Sequence, residues 1–286
     1  MQKRLLFLLA FLMTAISSAM AQVTTSSMSG TVVAEGEEII GATVDVVHTP
    51  SGTHYRAVTN EKGVYTINGM RVGGPYQVTV KCIGFSDKTV GGINLQLGET
   101  YNLKTNLSES VKEMQEVTVS AKGSKFSYEQ TGASTNISNE QMLAMPTVSR
   151  SVTDFTRLSP YGGNGMTFQG SDGRTANFTV DGANFNNNFG LSSSLPGGGN
   201  PISMEAIEEL QVVISPFDVR QTGFIGGALN AITKSGTNTF KGQAYIYHQN
   251  ENMRGDAVES EFISGSRDKD RTTTYGFSLG GPIIKN

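Results

Sequence analysis

The chain has one cysteine and no tryptophan in 286 residues. A single thiol excludes an internal disulfide framework. That thiol, Cys82, follows the alternating run Val78-Thr79-Val80-Lys81 and reads as a small strand residue. Charge is also scarce, with 22 Lys+Arg against 25 Asp+Glu and a net charge of −3. Without a basic surplus there is no electrostatic footprint for nucleic acid. The three histidines, His48, His54 and His248, lack metal-ligand spacing, and no His-Glu-x-x-His motif occurs. No Gly-x-Ser-x-Gly elbow or other catalytic constellation is found, so neither an enzyme nor a cofactor is expected. No long apolar run follows the first 15 residues, which excludes a later membrane-spanning helix. Glycine, at 34 residues, is abundant, and Ser, Thr and Asn are frequent. This composition favours β-structure with long polar loops over a helical bundle.

Residues 1–21 read as an export signal. Lys3 and Arg4 precede an apolar core over 5–15, and Ala19-Met20-Ala21 predicts cleavage between Ala21 and Gln22. The core is too short to cross a bilayer as a helix. The residue directly after the cleavage site is Gln22 and not cysteine, so no lipid anchor is expected.

Over 22–108, strand-like runs occur at 30–33, 42–47, 55–59, 64–67, 76–81, 88–95 and 101–107. Turn signals such as Pro50-Ser51-Gly52 and Asn60-Glu61-Lys62-Gly63 separate them. The spacing predicts a seven-stranded, immunoglobulin-like β-sandwich. Within it Val44 and Val46, and Tyr76, Val78 and Val80, alternate with polar neighbours, so one face of each strand should be buried. The order SGTV, GATVDVV, TNEKGVYTI, YQVTVKCIGF resembles the carboxypeptidase regulatory-like domain. That resemblance implies an accessory module, not a peptidase.

Residues 109–123 read as a linker holding an extended segment, Glu116, Val117, Thr118, Val119, Ser120 and Ala121. A lone strand beside a linker offers unpaired backbone groups to the sheet edge of a partner. The same segment also reads as an ordinary first strand of the domain that follows.

Over 124–237 a small mixed α/β domain is expected. Ser138-Asn139-Glu140-Gln141 is a capping box, and Pro146 ends the helix it starts. Val148, Val152, Phe155 and Leu158 fall at helical spacing and suit a core. Asn177 to Val180 is strand-like before the turn signal Asp181-Gly182. Gly162-Gly163-Asn164-Gly165 lacks the Lys-Ser/Thr of a phosphate cradle. Phe185, Asn186, Asn187, Asn188 and Phe189 combine ring faces with amides that could grip a polar ligand; read without a ligand, the same stretch is a flexible loop. A helix over 203–209, with Ser203 as its cap and Glu205 at its positive end, should lead into a strand over 210–214. Gly226-Gly227 then allows positive φ or close backbone approach before a strand over 228–234.

The stretches IEELQVVISP and GFIGGALNAITK resemble the closing segment of the plug in TonB-dependent outer-membrane receptors. Ile214-Ser215-Pro216 replaces the usual arginine-glycine-proline, as in the Oar-like branch. FTVDGANF is similar to the plug's "VDG" strand-turn. The resemblance implies that residues 116–121 are a TonB box, gripped by strand addition by the TonB energy-transducing complex in the periplasm. It further implies an extracellular ligand of unstated chemistry, contact with outer-membrane lipid, and an outer-membrane lipoprotein as a candidate partner. The sandwich and the TonB box would then be periplasmic, in a Gram-negative bacterium.

From 238 to 286, Phe240, Gly242, Ala244 and Ile246 alternate with Lys241, Gln243, Tyr245 and Tyr247. Tyr275, Phe277 and Leu279 alternate in the same way with Thr274, Gly276, Ser278 and Gly280. Such alternation marks barrel strands with lipid on one side and lumen on the other. A plugged barrel of 22 strands at about ten residues each needs about 220 residues. The expectation is therefore the first two strands of a truncated transmembrane β-barrel. The function expected is the N-terminal portion of a receptor for energised uptake. The alternative is a non-transporting outer-membrane adhesin or ligand-binding surface protein.

Overall fold

The computed structural model describes residues 23–109, 117–120, 133–147, 150–186, 195, 200–216, 221–253, 255, 257–258, 261–262 and 268–284. The expected signal at 1–21 and its cleavage residues Ala21 and Gln22 lie outside that set.

Two facing sheets form the first layer pair. One runs β2 (Glu37–Glu38), β1 (Ser26–Ala34), β5 (Val64–Met70), with β8 (Thr100–Asn102) and β9 (Thr105–Leu107) both parallel to β1. The other runs β7 (Lys88–Leu95), β6 (Gly73–Lys81), β3 (Thr43–His48), β4 (Thr53–Val58). The alternation expected from sequence sets the inner face: Val44, Val46, Tyr76, Val78 and Val80 meet Met28, Val32, Tyr65 and Ile67 in one apolar cluster. At ~25 cal/mol per Å² this burial is the main force holding the two sheets together. Seven strands were expected, and the described residues form nine here. The first run is longer and folds back through Glu35 and Gly36, both at positive φ, to add β2. The last run breaks at Leu103, whose carbonyl lies against Gly30 and the Tyr65 hydroxyl, giving β8 and β9 instead of one strand.

A third sheet is mixed. Its order is β11 (Ala133–Ser138), β14 (Ile207–Ser215), β15 (Ala228–Thr233), β12 (Asn177–Val180), β13 (Ala183–Asn184), with only β12 and β15 parallel. The helix α1 (Asn139–Ala144) starts at the expected capping box, with Ser138 and Gln141 bonding each other's backbone N–H. Val152–Leu158 is a 3-10 helix that buries Val152 and Phe155; Leu158 is partly exposed, and Val148 lies outside the described residues. The helix expected over 203–209 is only a 3-10 turn, Met204–Ala206. Ser203 makes no side-chain cap bond and instead donates to the Glu205 carboxylate. The reason is pairing: β14 begins at Ile207 because it is bonded to β11 on one side and β15 on the other, which outweighs local helix preference. Glu205 consequently serves no helix terminus and is held by Arg150.

Residues 236–286, with 50–52, form a separate unit. Here β16 (Lys241–Asn250) and β19 (Arg271–Gly280) pair antiparallel over ten residues each, and a small hairpin joins β17 (Ala257–Val258) to β18 (Glu261–Phe262). The chain is thus mostly β, and no described helix is long and apolar enough to cross a membrane.

Candidate functional site

Of the candidate docking segment, Val117–Ser120 is described and forms β10, while Glu116 and Ala121 lie outside the described residues. β10 adds parallel to β7, with Val117 opposite Lys88, Thr118 opposite Thr89, Val119 opposite Val90 and Ser120 opposite Gly91. It is the end strand of its sheet, which reads β10-β7-β6-β3-β4. One backbone edge is therefore satisfied, and the other meets no strand among the described residues. Parallel addition to a free edge is the chemistry by which an extended peptide is recognised. The register ends at Gly91, next to Gly92 at φ +77. The other reading of this segment, as the first strand of the following domain, does not describe it. The mixed sheet opens with β11, and β10 belongs to the sandwich.

At the far end of the mixed sheet, Phe185 and Asn186 are described, while Asn187, Asn188 and Phe189 are not. Phe185 sets its ring edge-on to Phe178 at 6.4 Å and stays partly exposed. Asn186 is engaged within the chain at both amide atoms. Its Oδ1 accepts from the Phe178 N–H at 2.5 Å, and its Nδ2 donates to Asn177 Oδ1 at 2.7 Å. Asn184 donates to the same Asn177 oxygen at 3.1 Å. These amides fasten the loop to β12. Sequence reading had singled out Asn186 but not its partner Asn177, which sits nine positions earlier, across the turn.

Two buried acidic residues, Glu205 and Glu209, have partners that sequence reading did not identify. Glu205 is buried and accepts from Arg150 at 2.6 Å. Burial alone would raise its pKa, but the Ser203 hydroxyl, its own backbone N–H and the Arg150 guanidinium outweigh that and hold it below the usual value. Glu209, also buried, is pushed up to about 8 by burial, against the Leu97 N–H that lowers it, with the Glu99 and Glu208 charges adding to the rise. No trio of His, Cys, Asp or Glu side chains among the described residues is placed to hold a metal.

Residues 27–108 match the carboxypeptidase regulatory-like domain, and residues 232–286 match an outer membrane beta barrel domain. The TonB-dependent transporter Oar of Myxococcus xanthus is 27% identical over 145 residues, which is 48% of this chain and 13% of that protein. The chain thus carries a carboxypeptidase regulatory-like domain and part of an outer membrane beta barrel domain, and it is similar in part to a TonB-dependent transporter. The chain spans about an eighth of the length of the curated relative it matches, the matched part being 13% of Oar. Among solved structures, the siderophore receptor PirA of Pseudomonas aeruginosa is similar at 22% identity and TM-score 0.38, over 54% of this chain and 25% of PirA. A hydroxyquinol 1,2-dioxygenase of Pseudomonas putida is similar at 10% identity and TM-score 0.26, over 31% of this chain and 58% of that enzyme. Likenesses at those scores carry no argument for this chain's chemistry.

Proposed function

We propose that this chain is the N-terminal portion of a receptor that takes up an extracellular ligand when its plug is pulled from the periplasm. The division proposed is a signal at 1–21, a sandwich module at 22–108, a linker with the TonB box at 109–123, a plug at 124–237 and the start of the barrel at 238–286. The plug is the mixed sheet with its helix and 3-10 turns. The receptor sits in the outer membrane, with sandwich and TonB box periplasmic, barrel strands against lipid, and ligand on the outer side. The TonB complex, an outer-membrane lipoprotein and the ligand are its proposed partners.

The observation that carries this reading is the placement of β10. A four-residue strand stands between sandwich and mixed sheet in the chain, with one backbone edge paired and no strand on its other edge among the described residues. A pulling partner needs a strand it can extend by backbone hydrogen bonds and a tether that leads into the plug. Residues 116–121 supply the first, and residues up to β11 supply the second.

The test is Val117→Pro in the complete receptor. Proline removes a backbone donor and fixes φ near −65°, so strand addition fails at that residue. The variant should still reach the outer membrane, yet lose binding to the purified periplasmic domain of TonB. Unchanged binding would remove the assignment.

A further inference from the structure

Leu97 lies in the loop between β7 and β8, is wholly buried, and belongs to the apolar cluster of neither the sandwich nor the mixed sheet. Its backbone is gripped from both sides by the mixed sheet. The Leu97 N–H donates to Glu209 Oε1 at 2.9 Å, and the Leu97 carbonyl accepts from Gln211 Nε2 at 2.7 Å. Gln211 is held in turn: its Oε1 accepts from Asn230 at 3.4 Å, and Asn230 accepts from the Thr179 hydroxyl at 2.8 Å. Asn136 on β11 adds contacts to the Leu97 carbonyl at 3.5 Å and to Glu99 at 3.3 Å. One loop residue thus closes a hydrogen-bonded row that crosses four strands of the mixed sheet.

The loop's shape permits this. Gly98 has φ +69, and a Cβ there would stand 3.4 Å from Gln211 Nε2 and from Val23. Val23 is itself buried. Those contacts are of ordinary van der Waals length, so it is the left-handed φ that favours glycine at position 98.

The low local dielectric around a buried polar row makes a charge within it costly. Glu209 is the member that can acquire a charge. The charged groups facing it are Glu99 from the loop and Glu208 from its own strand, both acids. Its register partners on β11 and β15 are Ser138 and Ile232, neither of which titrates near neutrality. A proton on Glu209 leaves a neutral acceptor for the Leu97 N–H. Losing it places a carboxylate beside two others, away from water.

We propose that Leu97, Glu209 and Gln211 form a proton-sensitive clasp fastening the sandwich to the mixed sheet, closed when Glu209 is protonated and loosened when it is ionised. The sign follows from linkage. Opened, Glu209 meets water and titrates near the ordinary glutamate value; closed, it holds its proton up to about 8. Closure therefore binds a proton between those values. It is strongest below the ordinary value, weakens as pH rises toward 8, and levels off above it. The clasp joins the module nearest the docking strand to the sheet that leads on toward the barrel, so its opening separates motion of one from motion of the other.

Hydrogen exchange at the Leu97 amide in the full chain tests this directly. Corrected for intrinsic exchange, its protection should fall by roughly tenfold per pH unit through the middle of that window. Val78 in the sandwich core should keep its protection throughout. Glu209→Gln accepts the same hydrogen bond without titrating, and its Leu97 protection should be flat with pH. Glu99→Gln removes a facing charge and should move the wild-type midpoint to lower pH. A flat wild-type profile would overturn the clasp. So would an equal slope in Glu209→Gln, loss at Val78 in step with Leu97, or an unmoved midpoint in Glu99→Gln. Should Glu209→Gln fail to fold, the wild-type profile at Leu97 against Val78 still decides.

Discussion

Gly227 stands against the ring of Phe168, so close that a Cβ at position 227 would lie 2.5 Å from Phe168 Cγ. Phe168 is wholly buried, and its ring has no free volume to enter. Gly227→Ala should therefore overpack the mixed sheet and cost about 1–3 kcal/mol. In a domain of this size that lowers the apparent Tm by several degrees, roughly 2–4 °C per kcal/mol. Phe168→Leu in the same chain should recover part of the loss, since it removes ring atoms that crowd the new methyl. A double variant no more stable than the sum of the singles would show that the contact is not the cause.

The Arg150–Glu205 pair gives a second prediction. Arg150→Met takes the guanidinium away from a buried carboxylate that also accepts from the Ser203 hydroxyl and its own backbone N–H. Breaking such a pair from one side costs about 3–5 kcal/mol when both ions are buried. Arg150 keeps about a quarter of its side chain in water, at 26%, so the low end applies. Glu205→Gln, which removes the charge and keeps an acceptor, should cost less. Because folding depresses the Glu205 pKa, the stability it contributes is present above the ordinary glutamate value and is lost as pH falls through its folded value. Urea unfolding at successive pH values should show that acid-side loss in the wild type and not in Glu205→Gln.

These pairs also show what was readable before the fold was known. The sandwich strands at 43–48 and 73–81 were legible because valine and tyrosine alternate with polar residues there, and alternation alone decides which side is buried. The glycine pair at 226–227 was legible as a place needing glycine, though the two have different reasons. Gly226 has φ +90, whereas Gly227 makes room for Phe168, almost sixty positions earlier in the chain. Ser203 to Glu209 misled because its local signals favour a helix, while the bonds that make β14 a strand come from residues 133–138 and 228–233. Arg150 and Glu205 are 55 positions apart, and Leu97 and Gln211 are 114. Nothing local marks such partners. The candidate docking segment was legible as an extended strand, but its attachment to β7 depends on a sheet edge that only the folded sandwich creates.

A third prediction concerns the sandwich. A Cβ at Gly30 would stand 2.0 Å from the Leu103 carbonyl oxygen and 2.8 Å from the Tyr65 hydroxyl. The first obstacle is backbone, pinned by the bond from the Leu103 N–H to Ser29, so it cannot rotate away. Gly30→Ala should cost about 1–3 kcal/mol or more. Tyr65→Phe should cost only about 1 kcal/mol, the worth of its bond to Leu103. Adding Tyr65→Phe to Gly30→Ala should not rescue it, because the carbonyl remains. Thermal unfolding of the three variants checks this, and recovery in the double variant would place the strain at the tyrosine.

The hairpin of β16 and β19 separates its two faces by register. Gly242, Ala244 and Ile246 stand opposite Leu279, Phe277 and Tyr275, so both apolar rows share one face. Gln243, Tyr245 and Tyr247 stand opposite Ser278, Gly276 and Thr274 on the other. The second face is knit by Tyr245, whose ring lies over Gly276 where a Cβ would come within 2.4 Å of its hydroxyl. An aromatic side chain covering a cross-strand glycine pins register. Ile246, Tyr275, Phe277 and Leu279 are all largely exposed, as the proposed contact with lipid requires. Phe277→Arg in the complete receptor should cost about 2–4 kcal/mol if position 277 lies near the bilayer midplane. Ser278→Arg, one residue along, puts its charge on the opposite face, the lumenal one in the proposed reading, and should cost less than Phe277→Arg. Refolding titrations in phosphatidylcholine vesicles read both values. A larger loss at Ser278 than at Phe277 would mean that the apolar row faces inward and that the lipid side has been assigned to the wrong face.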